Sequence, residues 1–394
     1  MIEPIEKLKQ LGPAARFEPA EDVDMLGNKH RAVRKVPADL RQCISHATLP
    51  GGRRVPMLKT LVSSACEMDC RYCPFRMGRD FQRVTFTPDE LAYLSHRMHA
   101  LGLVKGVFLS SALVGGGVKT QDRLIATAEL LRRKYRFHGY LHVKIMPGAE
   151  HDQVAETMRW ASRVSLNLEA PNESRLSILA PGKEFSGDLL KRLRWVQALR
   201  SRSPDIAPSV TTQFVVGPAG ESDLELLLTC SHLYRDMGLA RAYFSGFNPV
   251  TDTPFENHPP TVLRREQRLY QASFLLRDYG YDVEDLPFDT EGQLPLSEDP
   301  KLAWAKRHLQ DTPVEVNTAD REMLLRVPGI GLKSADKILN ARRRGTLRSP
   351  RDLRDLGIAT KRVLPFVLLN GRRSPEQLSL WSMSPSSHIQ ARMA

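Results

Sequence analysis

Cysteine is scarce in this chain: five residues among 394, three of them within positions 66–73. So few thiols, so grouped, exclude a disulfide framework and fit a reducing compartment. Long apolar runs are also absent, and none approaches the roughly 20 residues needed to cross a bilayer. The opening Met1-Ile-Glu-Pro-Ile-Glu-Lys7 lacks the basic-then-apolar layout of an export signal. A cytoplasmic protein with no membrane partner is expected. The hydrophobic share of 41% and charged share of 26% are ordinary, and the length allows a large domain plus a small one.

Charge is unevenly placed. The formal net charge is +12, and residues 301–394 carry 18 Lys and Arg against 8 Asp and Glu. Residues 1–300 are close to balanced. A basic excess confined to one small module is the electrostatic footprint of a nucleic-acid-binding appendage, with a generic solubilising face as the plain alternative.

From about residue 57 to 285 the pattern alternates between strand and helix. Leu58–Val62, Gly106–Ser111, Tyr140–Met146, Val164–Glu169, Val210–Gly217 and Ala240–Phe247 read as strands. Thr87-Pro88-Asp89-Glu90 opens a helix through a capping box, and Leu91, Leu94, Met98 and Leu101 form its apolar face. Further helices are expected near 120–135, 150–162, 187–202 and 221–237. Strands and helices in strict alternation imply an α/β fold with parallel strands and right-handed crossovers. Residues 1–56 read as an irregular extension containing Gly51-Gly52. Residues 286–310 read as a linker or barrel closure, 311–373 as a small module, and 374–394 as a loosely ordered tail.

The run Cys66-Glu-Met-Asp-Cys70-Arg-Tyr72-Cys73 has C-x3-C-x2-C spacing just after the first strand. Soft thiolates so close together wrap one loop around a metal centre, iron–sulfur or zinc. Three ligands leave one iron of a cube open, whereas structural zinc needs a fourth. This motif resembles that of the radical S-adenosylmethionine (radical SAM) enzymes. The resemblance implies a partial (β/α)6 TIM-like barrel and a [4Fe–4S] cluster on Cys66, Cys70 and Cys73. It also implies S-adenosylmethionine on the open iron and a 5′-deoxyadenosyl radical as product. A zinc loop or a chance group of thiols is the bland alternative.

The same resemblance assigns the cofactor pocket. Tyr72 matches the aromatic that packs near adenine. Ser110 and Ser111 precede the Gly115-Gly116-Gly117 turn, at the position where family members hold the methionine amino group. Asn167 and Glu169 alternate on the fourth strand and so share a face. There they resemble the ribose-binding strand, although mutual satisfaction or a buried water would also account for them. Gly217 resembles the glycine turn that approaches adenine, and a plain strand-to-helix turn explains it equally. Cys230 falls on an apolar helix face, where a core cysteine is the default and a hydrogen-atom donor to a substrate radical is the alternative. Nothing distinguishes Cys43.

In the small module, Thr318 can cap a helix with Met323, Leu324 and Val327 on its apolar face. Pro328 ends it, and Gly329-Ile330-Gly331 turns into a second helix bearing Ala335, Ile338 and Leu339. Bare backbone at the glycines can approach a phosphate, with Lys333 and Ser334 in the first turn and Arg342, Arg343 and Arg344 nearby. The segment resembles the helix-hairpin-helix motif of DNA repair and uptake proteins, implying a small all-α domain that grips DNA backbone with little sequence preference. A degenerate second copy is expected from Ser349-Pro350, turning at Leu356-Gly357-Ile358-Ala359 and closing through Thr360–Leu369. A helical hairpin for protein docking is the plain alternative.

Barrel and module together resemble a family of radical SAM proteins assigned to DNA modification or repair and linked in genomes to a uracil-DNA-glycosylase-like protein. The expected activity is radical chemistry on a DNA nucleotide, either lesion reversal as in spore photoproduct lyase or base or sugar modification. A flavodoxin or ferredoxin is the expected reductant. An RNA-modifying radical enzyme and a non-catalytic DNA-binding redox sensor are the rivals.

Overall fold

The computed structural model describes residues 2–11, 43–48, 54–202 and 207–373. Gly51-Gly52 and the 374–394 tail lie outside them. The described residues form two compact units, one of residues up to Arg277 plus Phe288–Leu296, the other of Asp278–Pro287 plus residues from Ser297.

The first unit is α/β. Among the described residues its sheet has seven strands in the order β1 to β7. They are β1 (Ile44–Thr48), β2 (Arg54–Leu61), β3 (Gly106–Ser110), β4 (Tyr140–Lys144), β5 (Arg163–Ser165), β6 (Ser209–Val216) and β7 (Arg241–Gly246). β1 pairs antiparallel with β2, and every later neighbour is parallel. Parallel neighbours need long crossovers, and helices supply them. These are α2 (Pro88–Ala100), α3 (Gly116–Arg133), α4 (His151–Trp160), α5 (Glu173–Leu179) with α6 (Lys191–Arg202), and α7 (Asp223–Asp236). α8 (Leu263–Asp278) follows β7. The parallel strands are those that the strand–helix alternation implies, and the sheet curls into a half-barrel.

Each strand buries its outer side chains under the helices. Leu58, Val107, Leu109, Leu141 and Val143 join Leu91, Met98, Leu124 and Leu131 in one core cluster. The Thr87 capping box forms as the sequence predicts, with Thr87 Oγ1 accepting from Glu90 N–H and the Glu90 carboxylate from Thr87 N–H. Gly117 admits a close approach: a Cβ there would stand 2.1 Å from the Pro147 carbonyl oxygen.

Residues 1–56 are not wholly irregular. α1 (Pro4–Leu11) buries Leu8 and Leu11 in the same core, and Lys7 pairs with Glu90 at 2.8 Å. β1 was hidden from sequence because Ile-Ser-His-Ala-Thr is short and half polar. The segment 286–310 is also not a free linker. Leu294 N–H donates to Asp223 Oδ2 within the first unit, while α9 (Pro300–His308) is a capped helix of the second.

The second unit departs from the all-α expectation. Beside α10 (Arg321–Arg326), α11 (Leu332–Arg342), α12 (Pro350–Asp355) and α13 (Thr360–Val363) it has β8 (Val314–Glu315), β9 (Val367–Leu369) and β10 (Arg372–Arg373). The strands form a sheet in the order β10-β9-β8. The cause is legible: Asn370-Gly371, with φ of 53° and 74°, is a hairpin turn that folds β10 onto β9. The expected closing helix through Leu369 therefore stops at Val363.

Candidate active site

The chain leaving β2 stays extended, with Val62 N–H donating to the Ser110 carbonyl and Ser64 N–H to that of Val84. It then enters the loop of Cys66, Cys70 and Cys73, held from three directions. The Arg83 guanidinium donates to the carbonyls of Ser64, Phe75 and Arg76 at 2.9–3.1 Å. Arg71 N–H donates to the Leu179 carbonyl, and Gly182 N–H to Asp69 Oδ1. Glu67 accepts from Gly115 N–H at 3.0 Å and Gly116 N–H at 2.7 Å. Those amides belong to the Gly-rich turn after β3.

All three cysteines line one cavity of about 730 Å³ at the C-terminal ends of the strands. Burial pushes the Cys70 thiol up to about 11, against the pull of Lys183, and raises Cys73 further. The thiols are neutral until a metal displaces their protons. Among the described residues no three His, Cys, Asp or Glu converge as they would on a single metal ion. The cavity wall has no histidine among the described residues, and its thiols are those of Cys66, Cys70 and Cys73. This donor set fits a cluster with one open iron.

Opposite the cysteines stands a buried ion pair. Lys183 Nζ donates to Glu169 Oε1 at 2.9 Å, with both side chains at most 10% exposed. The Tyr72 hydroxyl bonds the same carboxylate. Burial alone would raise Glu169, but Lys183 and Lys144 bring it below the usual carboxylate range. The residue has φ of 64°, a left-handed backbone that β5 reaches after its ladder ends at Ser165. Asn167 Nδ2 donates to Gln213 Oε1 at 3.0 Å.

The structure therefore brings Cys66, Cys70, Cys73, Tyr72, Ser111, Asn167 and Glu169 to one cavity wall. Ser110 and Gly217 are not on it. Ser110 is fully buried one position deeper, and a Cβ on Gly217 would stand 2.2 Å from Thr261 Oγ1. The close approach at Gly217 is to threonine, not to the cavity. Cys230 is buried in α7 and lies off the wall, where burial raises its thiol; its position is that of a core cysteine. Sequence reading missed Arg79, Lys144, Lys183, Gln213 and the segment 245–251 of the wall. Lys144 and Gln213 carried a signal, being polar residues on otherwise apolar strands.

In the second unit α10 and α11 are joined by the short turn 327–331. Gly329 is exposed with φ of 87°, and a Cβ there would stand 3.0 Å from Val363 Cγ2 and 3.1 Å from Arg362 Cβ. Gly331 has φ of −101° and caps α11. Lys301 Nζ donates to the Ile330 carbonyl at 2.6 Å, bracing the turn from inside. Lys333, Arg343 and Arg344 are exposed and Ser334 half-buried. Arg342 differs from the expectation: its guanidinium donates to the carbonyls of Val316 and Ala319, a structural tie. Met323, expected on the apolar face, is 41% exposed, and Leu325 takes its place in the core.

Residues 60–233 match the family model of the Radical SAM superfamily. An uncharacterised protein of Methanocaldococcus jannaschii is 22% identical over 219 residues, covering 52% of this chain and 53% of that protein. The chain thus spans about half the length of the curated relative it matches. Among solved structures, methylornithine synthase (PylB) is 12% identical with a TM-score of 0.44, covering 68% of this chain and 66% of its own. HydG, a maturase of the [FeFe]-hydrogenase, is 14% identical with a TM-score of 0.43, covering 55% and 48%. The matched stretch takes in the cysteine loop and the strands β3 to β6, and this part of the chain is similar to a radical SAM domain.

Proposed function

We propose that this chain is a radical SAM enzyme, with a [4Fe–4S] cluster and S-adenosylmethionine as cofactors, and that it acts on DNA, repairing or modifying a nucleotide. The observation that carries the reading is the glycine hairpin at Pro328–Gly331, set in the stretch of chain that holds most of the net positive charge. Exposed backbone at Gly329 and the first turn of α11 suit a phosphate, and Lys333, Arg343 and Arg344 supply cations around it. Backbone contacts of this kind position a duplex without reading its sequence.

Cys66, Cys70 and Cys73 would hold the cluster. With the bound S-adenosylmethionine, it supplies reductive formation of a 5′-deoxyadenosyl radical. Glu67 fixes the Gly115-Gly116 turn against the cysteine loop, and the Thr120 hydroxyl holds the turn's other side through the carbonyls of Val114 and Gly116. Tyr72, Glu169 and Lys183 form the far wall. A flavodoxin or ferredoxin is the proposed reductant and a uracil-DNA-glycosylase-like protein a proposed partner.

Anaerobic reconstitution should give one four-iron cluster per chain, and Cys66→Ala, Cys70→Ala or Cys73→Ala should abolish 5′-deoxyadenosine formation. Damaged or plain DNA incubated with the reduced protein should yield an altered nucleoside by mass spectrometry. Matched RNA giving the only altered nucleoside would move the substrate to RNA.

A further inference from the structure

Two arginines that follow Cys73, Arg79 and Arg83, are bonded very differently. A guanidinium carries five N–H donors. Arg83 donates to the carbonyls of Ser64, Phe75, Arg76 and Arg79. The Arg79 guanidinium makes one hydrogen bond among the described residues, from Nη1 to the Pro74 carbonyl. Its Nε has no hydrogen-bond partner, although the side chain is only 17% exposed. It lies 5.5 Å from the Phe81 ring centroid and lines the same cavity as the three cysteines. Donors left unmet out of water are costly, so an arginine serving the loop alone would be bonded as Arg83 is.

The ion-pair partner of Arg79 is loose. Asp252 Oδ2 stands 3.8 Å from Arg79 Nε, beyond hydrogen-bond reach, and its side chain is 63% exposed. Asp252 is placed by its own loop, not by the arginine. That loop, after β7, is closed at its base, where Thr261 N–H donates to the Phe247 carbonyl and Phe247 N–H to Thr261 Oγ1. Inside it Asp252 has φ of 60° and donates its N–H to Glu256 Oε2 at 2.7 Å. The neighbouring Thr251 is exposed and lines the cavity, so this edge of the wall opens to solvent. An exposed pair held apart in this way is weak and yields to a better acceptor. The planar fork of a guanidinium favours paired bonds to the oxygens of a phosphate or carboxylate.

We propose that Arg79 receives an anionic group of the substrate at the cavity edge, and that Asp252 holds the place of that anion until the substrate arrives. On the nucleic-acid reading above, on which this assignment rests, the anion is the phosphodiester of the entering nucleotide.

The test compares thymidylyl-thymidine with its uncharged methylphosphonate analogue, by equilibrium dialysis against the reconstituted, unreduced full chain at low salt. The charged dinucleotide should bind about tenfold or more tightly. Arg79→Met should erase that preference, with iron content and the cluster absorption checking that the variant is folded. Asp252→Asn keeps a residue suited to the left-handed backbone and should tighten the charged dinucleotide about two- to fivefold. The preference should survive Lys333→Ala, which separates the cavity from the hairpin. Equal, measurable binding of both dinucleotides overturns the proposal, as does a preference that survives Arg79→Met or disappears in Lys333→Ala. Unchanged or weaker binding in Asp252→Asn also overturns it, because Asp252 would not be competing with the anion. So does a loss in Arg79→Met of the S-adenosylmethionine-induced change in the reduced cluster's EPR spectrum, since Arg79 would then serve the cofactor. Glutamate or inorganic phosphate binding in an Arg79-dependent way, with neither dinucleotide bound, would keep the anion site and remove the nucleic-acid reading. Binding of none of these probes overturns the site.

Discussion

At the scale of single residues, Lys183 shows how a wall side chain can be structural and functional at once. It neutralises Glu169 at 2.9 Å inside a wall that excludes most water. Breaking a buried pair by removing one partner leaves the other charge uncompensated, at about 3–5 kcal/mol. Lys183→Met should therefore lower the urea midpoint well beyond what a surface lysine change does, and Glu169→Gln in the same chain should restore most of the loss. An unchanged midpoint in Lys183→Met would mean that Glu169 is already neutral. Lys301 offers a pH signature. Burial brings its amine down to about 7, whereas an unfolded lysine keeps its proton to about pH 10.4. Between those values the unfolded chain holds more protons, so stability of the second unit should rise with pH from 7 to 10. Lys301→Met should flatten that rise, as read from thermal melts across the window.

At the scale of elements, the two glycines of the hairpin have separate jobs. Gly329 sits at φ of 87°, where a side chain is strained, and a Cβ would press on Val363 and Arg362. Gly331 sits at −101°, and its added Cβ would make only an ordinary contact 3.4 Å from the Tyr279 hydroxyl. Gly329→Ala should therefore cost about 1 kcal/mol or more in stability and weaken DNA binding, while Gly331→Ala should change stability little. Equal effects on melting and on fluorescence-anisotropy titration would show that the turn does not depend on its left-handed residue. The cysteine loop works similarly as an element. Arg83 gathers three of its carbonyls and Glu67 joins it to the next strand's turn, so the ligands are held before metal arrives.

At the scale of the whole molecule, charge divides along the chain while chemistry stays with the barrel. Each phosphate neutralised by a side chain contributes about 0.9 to the slope of log K against log salt on duplex DNA. Lys333→Ala should flatten the slope of the full chain by about one unit and weaken binding alike across sequences. Arg342→Ala should instead act mainly on stability, because its guanidinium ties Val316 and Ala319. Removal of residues 311–394 with no loss of DNA affinity would give the hairpin a protein-docking role instead.

The sequence by itself determined what depends on near neighbours: the C-x3-C-x2-C loop, six parallel strands to within about two residues at most ends, the Thr87 capping box and the hairpin glycines. Each rests on spacing or on a local turn, and periodicity records these directly. Sequence also held the Asn370-Gly371 hairpin signal, although strands of two or three residues offer too little alternation to declare a sheet. Only the tertiary structure decided partners distant along the chain. Glu67 is 48 residues from Gly115, and Asn167 46 from Gln213. Glu169 looked free to bind a ribose until folding set Lys183 and Tyr72 on it. Gly217 and Ser110 looked like pocket residues because strand ends were known but their curl was not. A strand's alternation tells which residues share a face; where that face leads depends on how the sheet closes around it.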